Sequence, residues 1–280
     1  MKSDELRQCA AETLMDFLQT MPDAPFTVSD IIFSFAKQSE MASRALELCA
    51  QYCPDKKLNE SQLYQLGESI AANALIGREK SAVLICTNTK IGKTDFRRLI
   101  VHELTHIFCV KSEMDGEHFI DIYGSGTTPD VDPVNREYDG LVVAGYKVWS
   151  EFIAQYYAVK LVDKETIDFA RIADFINSLF HEVNVHEIED SKTAFSMICA
   201  YWFNCVDFDE TLAALNEPGT FMPGSERYGK ETQDALCDCI NYLHNQMQKD
   251  KPWKITEKFI YYLGDKFSKF RMINTLYLES

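Results

Sequence analysis

Apolar residues recur at helical spacing along most of this chain. In Ser3–Thr20, Leu6, Leu14, Phe17 and Leu18 fall on one stripe, and Pro22 and Pro25 close the segment. Thr27 or Ser29 can then cap a second helix carrying Ile31, Ile32 and Phe35. Amphipathic patterns over 42–52 and 61–75 predict two more helices. Residues 81–87, Ser-Ala-Val-Leu-Ile-Cys-Thr, break the period: the run is short, apolar and rich in β-branched side chains, so it predicts a buried strand. After a turn with Gly92, Thr94 or Asp95 is placed to cap a helix that is apolar almost all round, with Phe96, Leu99, Ile100, Val101, Leu104, Ile107, Phe108 and Val110. Such a helix belongs at the centre of a fold.

The pattern changes over 111–139, which holds eight Asp or Glu against two Lys or Arg, with three glycines and two prolines. A long loop is expected there, with 117–123 as an exposed strand that an extended peptide could join. From Tyr146 on, helical spacing returns through residue 162 and then over 165–181, 192–208, 233–248 and 256–277. The expected organisation is a helical N-terminal region (1–80), a core (81–162) and a helical C-terminal region (163–280), together one compact unit. The fold class is α+β, predominantly helical.

The central helix contains His102-Glu103-Leu104-Thr105-His106, an H-E-x-x-H sequence. Residues four apart stack on one helix face, so both imidazoles can reach one metal ion, and the adjacent Glu103 can take a proton from water that the ion activates. Chance alone would place this pattern in roughly one chain in a hundred of this size and composition. Its setting argues against chance, because two histidines and a glutamate in a buried helix need partners, which a metal would supply.

A catalytic zinc usually has three protein ligands and one open position. The metzincin continuation is ruled out, since Cys109 stands at its glycine and Ser112 at its third histidine. Glu151 is the leading third ligand. It lies in the largely apolar segment 146–158, where a carboxylate needs a compensating charge. Ala154 and Ala158 on roughly the same face allow close approach of another helix. The competing role for Glu151 is a surface pair with Lys147, four residues earlier. His118, Glu113, Glu117 and Asp121 remain alternative ligands. An oxyanion donor is to be sought among Tyr138, Tyr156, Tyr157, His181 and His186. The last two are five apart and do not share a helical face, which argues against a second metal site.

Residues 95–108 and the Glu151 segment resemble zincin metallopeptidases of the gluzincin type, and most closely the intracellular ImmA/IrrE-like group, which also has a strand before the H-E-x-x-H helix and a later Glu–Ala–aromatic–Ala helix. The resemblance covers about residues 81–162. It implies a zincin-like core of a small sheet plus the two motif helices, with helical flanks. It also implies one Zn²⁺ held by His102, His106 and Glu151, Glu103 as general base, and hydrolysis of a peptide or protein substrate. The alternative is a zincin-fold regulatory or binding protein with little peptidase activity, because fold and motif do not establish turnover.

Composition narrows the setting. A formal charge of −15 disfavours phosphate backbones and anionic membrane surfaces, so no nucleic-acid partner is expected. No apolar run approaches a membrane span, and the first residues lack the basic and apolar regions of a secretion signal. The nine cysteines are an odd number, mostly in apolar helical contexts, which points to reduced thiols in a cytoplasm. The close pairs Cys49/Cys53 and Cys237/Cys239 lack C-x-x-C spacing and do not suggest a structural zinc.

Overall fold

The computed structural model describes residues 3–54, 56–68, 70–88, 91–112, 136–162, 188–203 and 229–279. Over these the chain is predominantly helical with one three-stranded sheet, an α+β fold. The helices are α1 (Ser3–Thr20), α2 (Met41–Tyr52), α3 (Glu60–Glu68), α4 (Lys93–Lys111), α5 (Arg136–Val162), α6 (Ile188–Phe203), α7 (Gly229–Met247) and α8 (Glu257–Glu279). The strands are β1 (Ile31–Ala36), β2 (Ala72–Leu75) and β3 (Ser81–Cys86). The chain divides into two compact units, one of residues 1–113 and 157–164, the other of 114–156 and 165–280.

In the first unit, β3 is the middle strand, parallel to β1 and antiparallel to β2. All six of its residues are buried, as expected of a strand covered on both faces. Ala82, Leu84 and Cys86 join Met41, Ala45, Leu48 and Cys49 of α2 in one apolar cluster. Side chains alternate across a strand, so Val83 and Ile85 point to the opposite face. The sheet also packs against α4, and α4 packs against α1.

Two expected helices are not as the pattern suggested. Residues 31–36 form β1, not a helix, and Thr27 and Asp30 close only a single 3₁₀ turn before it, with the Asp30 carboxylate accepting from the Thr27 N–H at 2.7 Å. Ile31 and Ile32 favour an extended chain, and β3 offers six consecutive residues for pairing. The helix expected over 61–75 stops at Glu68, one residue after Gly67, and Ala72–Leu75 instead pair with β3. Helix α4 is capped by Gly92 rather than by Thr94 or Asp95. Asp95 instead pairs with Arg98 at 2.8 Å. Helix α5 begins at Arg136, ten residues before the helical spacing becomes readable. The strand expected over 117–123 and the helix over 165–181 lie outside the described residues.

The second unit packs aromatic side chains between helices. Trp149 and Phe152 of α5 are fully buried, and the Trp149 ring meets Phe259 edge-on at 5.2 Å. Phe195 of α6 contacts Phe267 and Phe270 of α8 at 5.2 and 5.0 Å. The Ser196 hydroxyl is shared between the carbonyls of Lys192 and Val148, at 2.6 and 2.9 Å, joining α6 to α5. Helices α5 and α8 approach through glycine: a Cβ on Gly145 would lie 1.9 Å from the Ile260 carbonyl oxygen, and one on Gly264 1.9 Å from that of Leu141. The buried Gln246 amide donates to the carbonyls of Pro252 and Lys254 at 2.7 and 2.9 Å, which fixes the turn from α7 into α8. Among the described residues, no helix is long and apolar enough to cross a membrane.

Candidate metal centre

Helix α4 is anchored along its length. Phe96, Ile100, Val101, Leu104, Ile107 and Phe108 are all buried. Phe108 meets Phe17 of α1 edge-on at 6.3 Å. On the outer side, Arg97 pairs with Asp16 at 2.6 Å and Lys93 with Glu12 at 3.8 Å. At the C-terminal end, the Lys111 ammonium donates to the carbonyls of Arg78 and Glu79, each at 3.0 Å. The surface pairs add little individually, but together with the buried face they hold the helix in one orientation. The buried Thr105 hydroxyl is satisfied by the Val101 carbonyl at 2.8 Å, a local bond that leaves the imidazoles on either side of it undisturbed.

That orientation sets the two histidines side by side. Their rings are 4.7 Å apart and nearly perpendicular, at 82°. Their Nε2 atoms are 3.1 Å apart. Two nitrogens bound to one tetrahedral zinc at about 2.0–2.1 Å would be roughly 3.3 Å apart. The observed spacing therefore matches an edge of a coordination shell. It also permits one ring N–H to donate to the other, so distance alone does not require an ion.

The carboxylate of Glu151 completes the group. Ligand atoms of His102, His106 and Glu151 all lie within 4.8 Å of one another, and all three residues are half-buried. Two imidazoles and one carboxylate form a donor set suited to a divalent metal ion, so this group can hold one. Glu151 also has the second role foreseen for it: Lys147 Nζ lies 3.3 Å from its Oε1. That contact leaves room for a ligand role, since a carboxylate has two oxygens and several lone pairs.

Glu103, between the histidines in sequence, is 7% exposed. A carboxylate so shielded from water interacts strongly with whatever charge or proton lies beside it. Cys109 is close in sequence but is no competing ligand. It is buried, desolvation pushes its thiol far above the ordinary range, and it is not part of the group formed by His102, His106 and Glu151. The other seven described cysteines are buried as well. Burial pushes Cys53 and Cys237 each up to about 11.

Of the proposed oxyanion donors, two are described. Tyr156 stacks on Phe152 with ring centroids 6.0 Å apart and meets Phe203 edge-on at 6.1 Å. Tyr157 is buried at 8% exposure. The side chain of Tyr138, and His181, His186, Glu113, Glu117, His118 and Asp121, lie outside the described residues. No protein-family model, curated protein or solved structure matches the chain.

Proposed function

We propose that this protein is a zinc-dependent metallopeptidase of the gluzincin type, built on a zincin-like core in which His102, His106 and Glu151 hold the ion. The observation that carries this reading is the convergence of these three donors, with Glu103, next to His102 in sequence, shielded from solvent. Zinc is the favoured metal because His₂Glu is a common catalytic zinc set. When bound, it would supply Lewis acidity that acidifies water and polarises a carbonyl.

The protein's own residues do the rest. Glu103 accepts a proton from the attacking water as its oxygen adds to the amide carbon. It then returns that proton to the leaving amine, whose bond to carbon breaks. Its near-complete burial keeps bulk water from competing for that proton. Anchoring of α4 at both ends keeps the base and the two imidazoles in fixed register, so little reorganisation accompanies the reaction. The substrate class is a peptide or protein. The buried thiols fit a reducing compartment, the cytoplasm.

The test is reversible metal removal. Tag-free protein is assayed against a peptide library and a denatured proteome, before and after treatment with a zinc chelator. Cleavage should fall by at least 100-fold in the apo protein and return on adding one equivalent of Zn²⁺. Hydrolysis that persists in metal-free protein would refute the proposal. Stoichiometric zinc without cleavage of any substrate would instead favour the regulatory alternative.

A further inference from the structure

We propose that Lys147 sets the affinity of this site for its metal, acting as a built-in counter-cation of Glu151. This rests on the metal-binding reading above but not on peptidase activity.

Glu151 stands in an apolar stretch of α5. Val148, Trp149, Phe152, Ile153 and Ala154 around it in sequence are all buried, and its own side chain is only 15% exposed. A carboxylate in such a place needs compensating charge. Lys147, one helical turn earlier and 41% exposed, supplies it through the 3.3 Å contact to Oε1. The same carboxylate lies within 4.8 Å of the ligand nitrogens of His102 and His106. A divalent ion in the triad and the Lys147 ammonium are therefore drawn to one acid and stand a few ångström apart.

Two effects of opposite sign follow. The ammonium orients Glu151, which favours binding. It also repels the ion, which opposes binding. The orienting contact is a single, partly exposed i,i+4 pair, whose loss changes an equilibrium by up to about fivefold. Repulsion between a monovalent and a divalent cation at a few ångström is larger, about tenfold or more even with water-like screening. Repulsion prevails, so Lys147 weakens metal binding. It keeps the acid neutralised at the cost of a less tightly held ion, making the metal more readily exchanged than a bare His₂Glu set would allow.

The test compares Zn²⁺ dissociation constants of the full chain, measured by competition with a chromogenic chelator at low salt and constant pH. K147M, which keeps the aliphatic stem, loses both effects and should bind Zn²⁺ about two- to tenfold more tightly than the unaltered chain. K147R, which keeps the charge, should stay within about threefold. A variant damaged in its fold would lose affinity, so tightening is a sign that structural disruption cannot imitate. K147Q serves as the neutral variant if K147M does not fold. Equal or weaker binding by the folded neutral variant overturns the proposal and leaves the metal site standing. Absence of Zn²⁺ binding by the unaltered chain overturns the metal site itself, and Lys147's role with it.

Discussion

Glu103→Gln should lower kcat/KM for peptide hydrolysis by about 10³-fold, with the metal still bound at one ion per chain. The substitution keeps the size and shape of a side chain that is 7% exposed, so it neither opens a cavity nor forces repacking. It removes one property, the ability to take a proton. An amide is far too weak a base to replace a carboxylate, and general-base catalysis is commonly worth 10²–10⁴-fold. His102 and His106 project from the same helix on either side of it and keep their spacing, so the donor set survives. Kinetics and elemental analysis on the same preparation check both halves. Undiminished turnover would remove Glu103 from the mechanism. Loss of the metal along with activity would show that the carboxylate helps hold the site together.

Gly145→Ala should destabilise the protein by about 4 kcal/mol, lowering its Tm by on the order of 10 °C. The added Cβ would fall 1.9 Å from the Ile260 carbonyl oxygen and 2.8 Å from both the Ile260 carbonyl carbon and the Gly264 nitrogen. These are backbone atoms, so no side chain can swing aside and the two helices must move apart. The cost exceeds ordinary overpacking, because the separation also strips contacts from Trp149 and its edge-on partner Phe259. Gly140→Ala is the matched control. It lies on the same helix with nothing within 4 Å of the new Cβ. There, helix propensity alone should make the change neutral or stabilising, by up to about 1 kcal/mol. Thermal unfolding of the two variants side by side distinguishes close helix contact from a general intolerance of alanine.

Local periodicity proved most readable where a segment's own residues decide its structure. The bounds of α1 match the pattern, and the burial of β3 and α4 follows from their nearly continuous apolar character. The same period put His102 and His106 on one face and drew attention to Glu151, because both inferences use the geometry of a single helix. What was not readable depends on partners far along the chain. Ile31–Ala36 could serve in a helix or a strand, and the deciding fact is pairing with residues 81–86, fifty positions later. Ala72–Leu75 are mostly helix formers, yet they are drawn into the sheet by β3. The start of α5 was obscured by an acidic stretch with Gly140, which looks like loop. Nothing in the local sequence marks Gly145 or Gly264, and only their reciprocal approach shows why neither carries a side chain. For Glu151, the lysine pair is present and the carboxylate also lies within 4.8 Å of the ligand nitrogens of both histidines, so the pair does not by itself exclude a ligand role.

The central claim is that His102, His106 and Glu151 form one coordination site. The most direct measurement is anomalous diffraction on either side of the zinc absorption edge, from crystals of tag-free protein grown with one equivalent of Zn²⁺. The account predicts a single strong peak per chain, at about 2.0–2.2 Å from one nitrogen of each histidine and an oxygen of Glu151. A peak elsewhere, or one ligated by the two histidines with Glu151 turned away, would contradict it.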